Sequence, residues 1–472
     1  MQKIVWLWVL MLLCQVQQAS AQSSDAVIYD WLKSQGIPVT ENNKVKLLKS
    51  GVDKFDALFQ DVRQSEHSVH LDYFAIRNDS ISNTLFNILA SKKKQGVQVR
   101  ALFDAFANLK SARPIKKRHL RALENLGIEI KPWDAISFPW VNHSVPRDHR
   151  KIAVIDGKIA YTGGMNIADY YILGIPQAGP WRDMQVRIEG EAANDFQRVF
   201  LESWKGQTRQ ELDEAEYSYQ VRLRESGSRK LARIPRQDSL LLHLTGSPSE
   251  WATAAQEAEL ELRELEKEKK PYVAGPIRKG PLMQIPSSEY LADVAVLNRT
   301  PRKNPAIMRE FYVTSLNAAK DKVMIINPYF TPTHKVNKAI KDAIDRGVEV
   351  EIMISTNSDV NFTPEIGLRA VNKLRKRGAK VYLFDAGFHH TKIMTVDGKF
   401  CTVGSTNLDS RSLRYDYEIN AVILHPGPTN ELIQMFENDK KTSHELTDEV
   451  WKKRSFWKKM QGTLGSCLIW CI

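Results

Sequence analysis

Cysteine is scarce, with four in 472 residues. Loss of the leader described next would leave three, Cys401, Cys467 and Cys471, too few for a disulfide framework. Cys467 and Cys471 would close only a very short loop and stabilise little. The fold must rest on hydrophobic cores, and 43% apolar content in a chain of this length suffices for two domains. Long apolar runs are lacking too. The run at residues 4–16 is well short of the roughly 20 residues a transmembrane helix needs. With Lys3 before it and Ala19-Ser20-Ala21 behind, it reads as a signal peptide (1–21) cleaved after Ala21. Leu13 is too bulky for Cys14 to be a lipoprotein cysteine. The expected location is therefore outside the cytoplasm, in a bacterial periplasm or cell envelope.

Two further absences bear on chemistry. Neither candidate histidine has a carboxylate cluster around it, and no clear array of basic and aromatic residues suggests base stacking along single-stranded nucleic acid. What the chain does have is an excess of positive charge, 67 basic against 55 acidic residues, a net +12. That balance favours an anionic partner, nucleic acid or a membrane surface, without choosing between them.

An internal duplication organises the rest. Residues 68–74, a helix-period stripe of Ile81, Leu85, Ile88 and Leu89 ending at Gly96, and residues 97–103 form one β-α-β pattern. Residues 322–330, the stripe Val336, Ile340, Ala343 and Ile344 ending at Gly347, and residues 348–354 repeat it. Such units predict largely parallel sheets under covering helices. The stronger repeat is His149-Arg-Lys151-Ile-Ala-Val-Ile-Asp156-Gly-Lys158, which returns as His390-Thr-Lys392-Ile-Met-Thr-Val-Asp397-Gly-Lys399 at an offset of 241. The register holds from Gly163 to Gly404 and from Asn166 to Asn407. Between the halves, residues 207–270 are rich in charge, and Pro271, Gly275, Pro276, Gly280 and Pro281 mark a linker. The expected division is 22–43 as an N-terminal segment, 44–206 and 282–446 as the two domains, 207–281 as insert and linker, and 447–472 as a basic, aromatic tail. That tail suits either a lipid headgroup layer or a helix docked on its own domain.

A strand sends alternate side chains to one face, so His149 and Lys151 project together, roughly 6.5 Å apart along the strand, and His390 and Lys392 do the same. Asp-Gly between two apolar runs signals a hairpin, which makes Asp156 and Asp397 turn or framework residues even though they complete the catalytic motif. Gly163-Gly164-Met165-Asn166 and Gly404-Ser405-Thr406-Asn407 follow the returning strands, where small residues let N–H groups and short donors approach an anion. Two histidines and two lysines in one pocket suit a phosphodiester. The lysines and amides would stabilise the non-bridging oxygens, one neutral histidine would attack phosphorus, and the other would protonate the leaving alkoxide. Neither a metal nor a cofactor is needed, since lysine is a poor ligand.

These motifs resemble the paired HxKxxxxD signatures of the phospholipase D superfamily. Beyond them, Asp148-His-Arg-Lys-Ile152, Gly163-Gly-Met-Asn-Ile167, Trp181-Arg-Asp183, Arg187-Ile-Glu-Gly190, Pro328-Tyr-Phe-Thr-Pro332 and Gly404-Ser-Thr-Asn-Leu-Asp-Ser-Arg-Ser412 are similar to the bacterial cardiolipin synthase family. The resemblance implies an α/β fold: two α/β/α sandwich domains related by a pseudo-twofold axis, with one shared active site. It also implies conversion of two phosphatidylglycerol molecules to cardiolipin and glycerol through a phosphohistidine. His149 would be the nucleophile and His390 the general acid and base, with Asp183 and Glu418 orienting the opposing histidines. Gly164, Asn166, Ser405 and Asn407 would bind or orient substrate. Water as acceptor would make the same groups an exported phospholipase D or a nuclease. Where the family carries Asn two residues before the glutamate, this chain has Asp416.

Overall fold

The structure is a computed structural model that describes residues 22–135, 146–208, 213–228, 287–360, 363–455, 457, 459, 460 and 462. The expected leader, Cys467, Cys471 and most of the 207–281 insert lie outside these residues.

The first lobe supplies β1 (Val39–Leu48), β2 (Ser68–Tyr73), β3 (Gln98–Asp104), β4 (Glu129–Trp133), β5 (Lys151–Ile155), β6 (Ile159–Gly163), the short β7 (Trp181–Arg182) and β8 (Gln185–Glu189). The second supplies β9 (Glu289–Arg299), β10 (Lys322–Ile326), β11 (Glu349–Ser355), β12 (Lys380–Phe384), the short β13 (Phe388–His389), β14 (Ile393–Val396), β15 (Phe400–Gly404), β16 (Glu418–Leu424) and β17 (Ser443–Glu445). The helices used below are α1 (Ser24–Ser34), α2 (Gly51–Gln64), α3 (Ser80–Lys94), α4 (Ala193–Thr208), α5 (Ile307–Ala318), α6 (His334–Asp345), α7 (Thr363–Arg375) and α8 (Pro426–Lys440).

Fifteen strands form one sheet in the order β17-β12-β11-β10-β14-β15-β16-β9-β1-β8-β6-β5-β2-β3-β4. Read outward from the β9–β1 pair, the order is a palindrome apart from β17, as a twofold relation between two copies of one unit requires. The β-α-β units are where the sequence places them. Ile81, Leu85 and Leu89 bury one face of α3, and Val336, Ile340 and Ala343 one face of α6. Gly96 (φ +89°) and Gly347 (φ +91°) follow these helices in the left-handed region that glycine adopts freely.

The expectation of largely parallel sheets is corrected. Within the fifteen-stranded sheet, parallel pairing is confined to β2–β3, β3–β4, β10–β11 and β11–β12, and the ten other neighbours are antiparallel; the short β7 and β13 form a separate parallel pair. Crossover helices enforce parallel pairing only within their own units. The Asp-Gly hairpins, and the strands β8, β1, β9 and β16 that follow or precede them, run back against their neighbours. β2 and β5 are buried at every position because helices cover both faces of the sheet.

The two lobes are joined through β1 and β9, antiparallel with Val39 opposite Ala295 and Lys44 opposite Leu291. A single core runs across that seam: Val45, Ile152 and Ile188 of the first lobe share it with Val294, Met324 and Ile423 of the second, under Phe196 of α4 and Leu432 and Phe436 of α8. The segment before β1 also belongs to the second lobe, since Ile28 and Leu32 of α1 are buried with Phe311 of α5. In the tail, Val450 and Trp451 pack against the same core, and Arg454 pairs with Glu365 of α7. This part of the tail is docked on its own domain. Residues 456, 458, 461 and 463–472 lie outside the described set.

Candidate active site

Each motif histidine enters its strand stitched to the opposite lobe. The His149 N–H donates to the Tyr417 carbonyl (3.0 Å), and the Tyr417 N–H donates to Arg147 (2.9 Å). Arg147, wholly buried, is anchored by Asp104 (2.8 Å) and Asp134 (2.8 Å). In the mirrored arrangement β13 pairs with β7, and the His390 N–H donates to the Arg182 carbonyl (2.6 Å). Arg182 and His389 both bind Asp439, each at 3.0 Å.

The segments that grip the histidine backbones also deliver carboxylates to their rings. Glu418 Oε1 lies 2.9 Å from His149 Nδ1, and Asp183 Oδ2 lies 2.7 Å from His390 Nδ1. A carboxylate accepts, so each Nδ1 carries the proton and each Nε2 keeps its lone pair for chemistry. Lys151 Nζ donates to the His149 carbonyl and Lys392 Nζ to that of His390, and Lys392 Nζ also lies 3.0 Å from His390 Nδ1. One site thus gathers all four groups and both carboxylates that the sequence named.

Burial sets the charges. It drives His149 well below the ordinary imidazole range, and the nearby Lys151 and Lys392 add to the effect. Burial and Lys392 lower His390 as well, against the opposing pull of Asp183. Burial brings Lys151 down to about 7 and Lys392 to about 8. It pushes Glu418 up to about 7 against the pull of Lys151. Burial also acts to raise Asp183, but His390 and Lys392 outweigh it and the net direction is down. The two histidines are neutral near pH 7 in the free protein, and the two carboxylates shift in opposite directions: His390 and Lys392 hold Asp183 down, whereas burial pushes Glu418 up.

The family model described as "Cardiolipin synthase, PLD-like domain" matches residues 58–204 and 312–440, more than half of the chain and both motif strands. The chain belongs to that family. Among curated members, the cardiolipin synthase of Listeria monocytogenes (serotype 4b, strain CLIP80459) is 28% identical over 443 residues, 94% of this chain and 78% of that protein. The cardiolipin synthase of Staphylococcus aureus (strain Mu50) is 29% identical over 431 residues, 91% of this chain and 74% of that one. Among solved structures, a phosphatidylserine synthase of Haemophilus influenzae shares the fold, with TM-score 0.61, 14% identity, and coverage of 94% of this chain and 97% of the other.

Several residues of the motifs and their turns serve the framework. Asp156 and Asp397 sit in the hairpin turns at positive φ (55° and 52°), at the far ends of β5 and β14 from the histidines. The Asp156 carboxylate accepts from the N–H groups of Glu66, His67 and Ser68 (2.9, 2.7 and 2.9 Å), and Asp397 accepts from Lys320, Asp321 and Lys322. Each ties its hairpin to the neighbouring β-α-β unit. Asp156→Ala is expected to lower stability by about 2–3 kcal/mol, measured by urea unfolding, while kcat per folded molecule stays within a few fold. A loss of kcat as large as that of a histidine variant would place Asp156 in the chemistry.

The glycine-rich turns also act differently from expectation. The Gly164 N–H donates to Met184 and the Ser405 N–H to Ile419, so neither is left for an anion. Gly164 is needed for space, because a Cβ there would come within 2.2 Å of Asp183 Oδ1. The Ser405 hydroxyl donates to Glu418 rather than facing substrate. Asn166 accepts from Ala75 N–H (3.1 Å) and donates to the Tyr171 hydroxyl (3.2 Å). Asn407 is the exception, with a buried Oδ1 that has no partner. Asp416, where the family carries Asn, accepts from Arg147 N–H (2.9 Å) and from Arg411 Nε (2.7 Å), which holds that guanidinium near the site.

Sequence reasoning missed three features. Lys54 is fully buried on α2 and donates to the carbonyls of Asn166 (2.7 Å) and Met165 (3.3 Å), with its ammonium near the Phe55 and Tyr73 rings. Its signal was a lysine on the apolar face set by Gly51, Phe55, Leu58 and Val62. Arg411 lies close enough to depress His149. An aromatic collar surrounds the histidines: Phe74 stands edge-on to His149, and Trp181, Tyr329 and Phe388 surround His390 at 5.2, 6.0 and 5.3 Å. These rings come from separate segments, and no run along the chain announces them.

Proposed function

We propose that the chain is a phosphatidyltransferase that joins two phosphatidylglycerol molecules into cardiolipin and glycerol. The observation that carries this reading is the pair of imidazoles, His390 buried and His149 partly so, each held at Nδ1 by a carboxylate from the opposite lobe, with Lys151 and Lys392 beside them. His149 Nε2 attacks phosphorus and the bond to the glycerol oxygen breaks, while the imidazolium form of His390, which the ionised Asp183 and the charge of the bound diester favour over the neutral ring of the free protein, gives that oxygen its Nε2 proton and becomes neutral. The lysines stabilise the charge on the non-bridging oxygens. A hydroxyl of a second phosphatidylglycerol then passes its proton to His390 and attacks phosphorus, releasing His149. The ionised Asp183 supports the imidazolium that forms on His390 in this half of the cycle. Family membership, the net positive charge and the cardiolipin synthases among the relatives support a lipid substrate.

The expected setting is a membrane surface in the bacterial envelope. Lys3, the apolar run at 4–16 and Ala19-Ser20-Ala21 support export, and among the described residues no helix is long and apolar enough to cross a membrane.

Purified protein incubated with phosphatidylglycerol vesicles is expected to form cardiolipin, less of it as added glycerol rises. Phosphatidic acid as the sole product would make the acceptor water and the protein a phospholipase D. No lipid product, with cleavage of nucleic acid, would overturn the lipid reading.

The lysines fix a pH dependence. An ammonium stabilises the transferring group only when charged, so catalysis is lost as pH rises through its pKa. With Lys151 at about 7 and Lys392 at about 8, kcat/KM is expected to fall between pH 7 and 9. A bound anionic diester favours the charged lysines, so the fall in kcat should lie at higher pH than the fall in kcat/KM. A kcat/KM that keeps rising through pH 9 would remove the charged lysines from the mechanism.

A further inference from the structure

The duplication places a helix N-terminus at corresponding points of the two lobes, and the two are finished in opposite ways. In the first lobe, α3 begins at Asp79, whose carboxylate accepts from Ser82 N–H (3.3 Å). Asp169 closes the same end by accepting from Ser80 N–H (3.2 Å) and Ile81 N–H (2.8 Å). The unpaired N–H groups and the positive dipole end of α3 are thus occupied by the protein's own two carboxylates.

In the second lobe both carboxylates are gone. The residue before α6 is Thr333, and the position 241 after Asp169 is Ser410. Thr333 makes no capping hydrogen bond, and its hydroxyl, on a residue only 4% exposed, is buried without a partner. Thr333 and Ser410 line a cavity of about 290 Å³ together with Arg369, Lys373 and Arg414. Three positive charges therefore face a helix N-terminus of 12 residues whose matching anions have been lost. Glu365, on the same helix as Arg369 and Lys373, is engaged by Arg454. The cavity starts beside the catalytic rim: Thr331 lines it, two residues after Tyr329, whose ring is 6.0 Å from that of His390.

We propose that this cavity is a phosphate-binding subsite outside the catalytic pocket. It takes one phosphate group, of an anionic phospholipid headgroup or of free phosphate, on the first N–H groups of α6, the Thr333 and Ser410 hydroxyls, and the three cations. Backbone N–H groups at a helix N-terminus point at the ligand while the dipole favours its charge, and two guanidinium groups suit its oxygens.

The test is hydrogen–deuterium exchange of the full chain, followed in peptides covering residues 334–340. Inorganic phosphate, phosphatidylglycerol vesicles and neutral phosphatidylcholine vesicles are the three additions. Phosphatidylglycerol is expected to slow exchange there by at least about threefold over phosphatidylcholine. Thr333→Asp supplies the carboxylate that Asp79 supplies in the first lobe, caps α6, and should abolish the slowing in a folded protein. Lys373→Glu should raise the lipid concentration needed by roughly fivefold. The slowing should persist in His149→Ala, which sets it apart from turnover and the covalent intermediate, while its loss in Thr333→Asp sets it apart from ligand in the catalytic pocket. Slowing by inorganic phosphate as well assigns the subsite to phosphate as such; slowing by the anionic vesicles alone assigns it to a lipid headgroup. No slowing by either, or a slowing that survives both Thr333→Asp and Lys373→Glu, overturns the proposal. The readout needs no turnover, so it stands or falls apart from the transferase reading.

Discussion

His149→Ala is expected to lower cardiolipin formation by at least about 10⁴-fold, because it removes the atom that bonds to phosphorus and with it the two-step route. The fold should survive. The ring is 13% exposed at the wall of a polar pocket, and the backbone bonds to Tyr417 do not involve it. His390→Ala should be as damaging with phosphatidylglycerol, whose alkoxide must be protonated to leave, but not with every substrate. A diester bearing a nitrophenol leaves without an acid, so the first step continues while the second, which needs a base, stalls. The expected result is a burst of nitrophenol followed by accumulation of phosphorylated protein, with peptide mapping placing the group on His149. A group on His390 in the converse experiment with His149→Ala would reverse the roles. A burst from neither variant would remove the covalent intermediate.

The second large effect separates the two carboxylates. Asp183→Asn should lower kcat/KM on the order of 10³–10⁴-fold, since an amide opposite Nδ1 favours the wrong tautomer of His390 and gives no charge to the imidazolium that forms there. Glu418→Gln should cost less, on the order of 10–10²-fold, because burial pushes Glu418 up to about 7 and weakens its hold on a charge relative to Asp183. The carboxylate of Asp183 is held low once His390 and Lys392 overcome its burial. Steady-state kinetics on a soluble diester between pH 6 and 9 measure both, with circular dichroism as the check on folding. Equal losses, or the larger loss at Glu418, would mean that the imidazolium forms on His149 instead.

The asymmetry between these carboxylates was not legible in the chain. The repeat at an offset of 241 identifies His149 with His390 and Lys151 with Lys392. It fails for the orienting acids, since 418 − 183 = 235. Only the resemblance to a family pointed to them. The glycine-rich turns misled for a related reason. Small residues do mark a close approach, but at Gly164 the approaching group is the Asp183 carboxylate and not a ligand. A sequence shows that space is needed without showing what fills it.

By itself the sequence determined the duplication, the two β-α-β units, the Asp-Gly hairpins and the four basic groups of the site. Each of these follows from short-range pattern: strand alternation, helix period, a turn that needs positive φ, and identity in register. Tertiary structure alone decided that the lobes share one mostly antiparallel sheet through β1 and β9, and that the carboxylate each histidine meets, which only family resemblance had indicated, differs in charge from one lobe to the other. It also decided that rings from separate segments enclose the site, and that the end of α6 lacks the carboxylates that close α3. The physical reason is that local pattern reports which face of an element is apolar. Which polar group meets which across an interface depends on how two buried faces pack together, and burial then sets their charges.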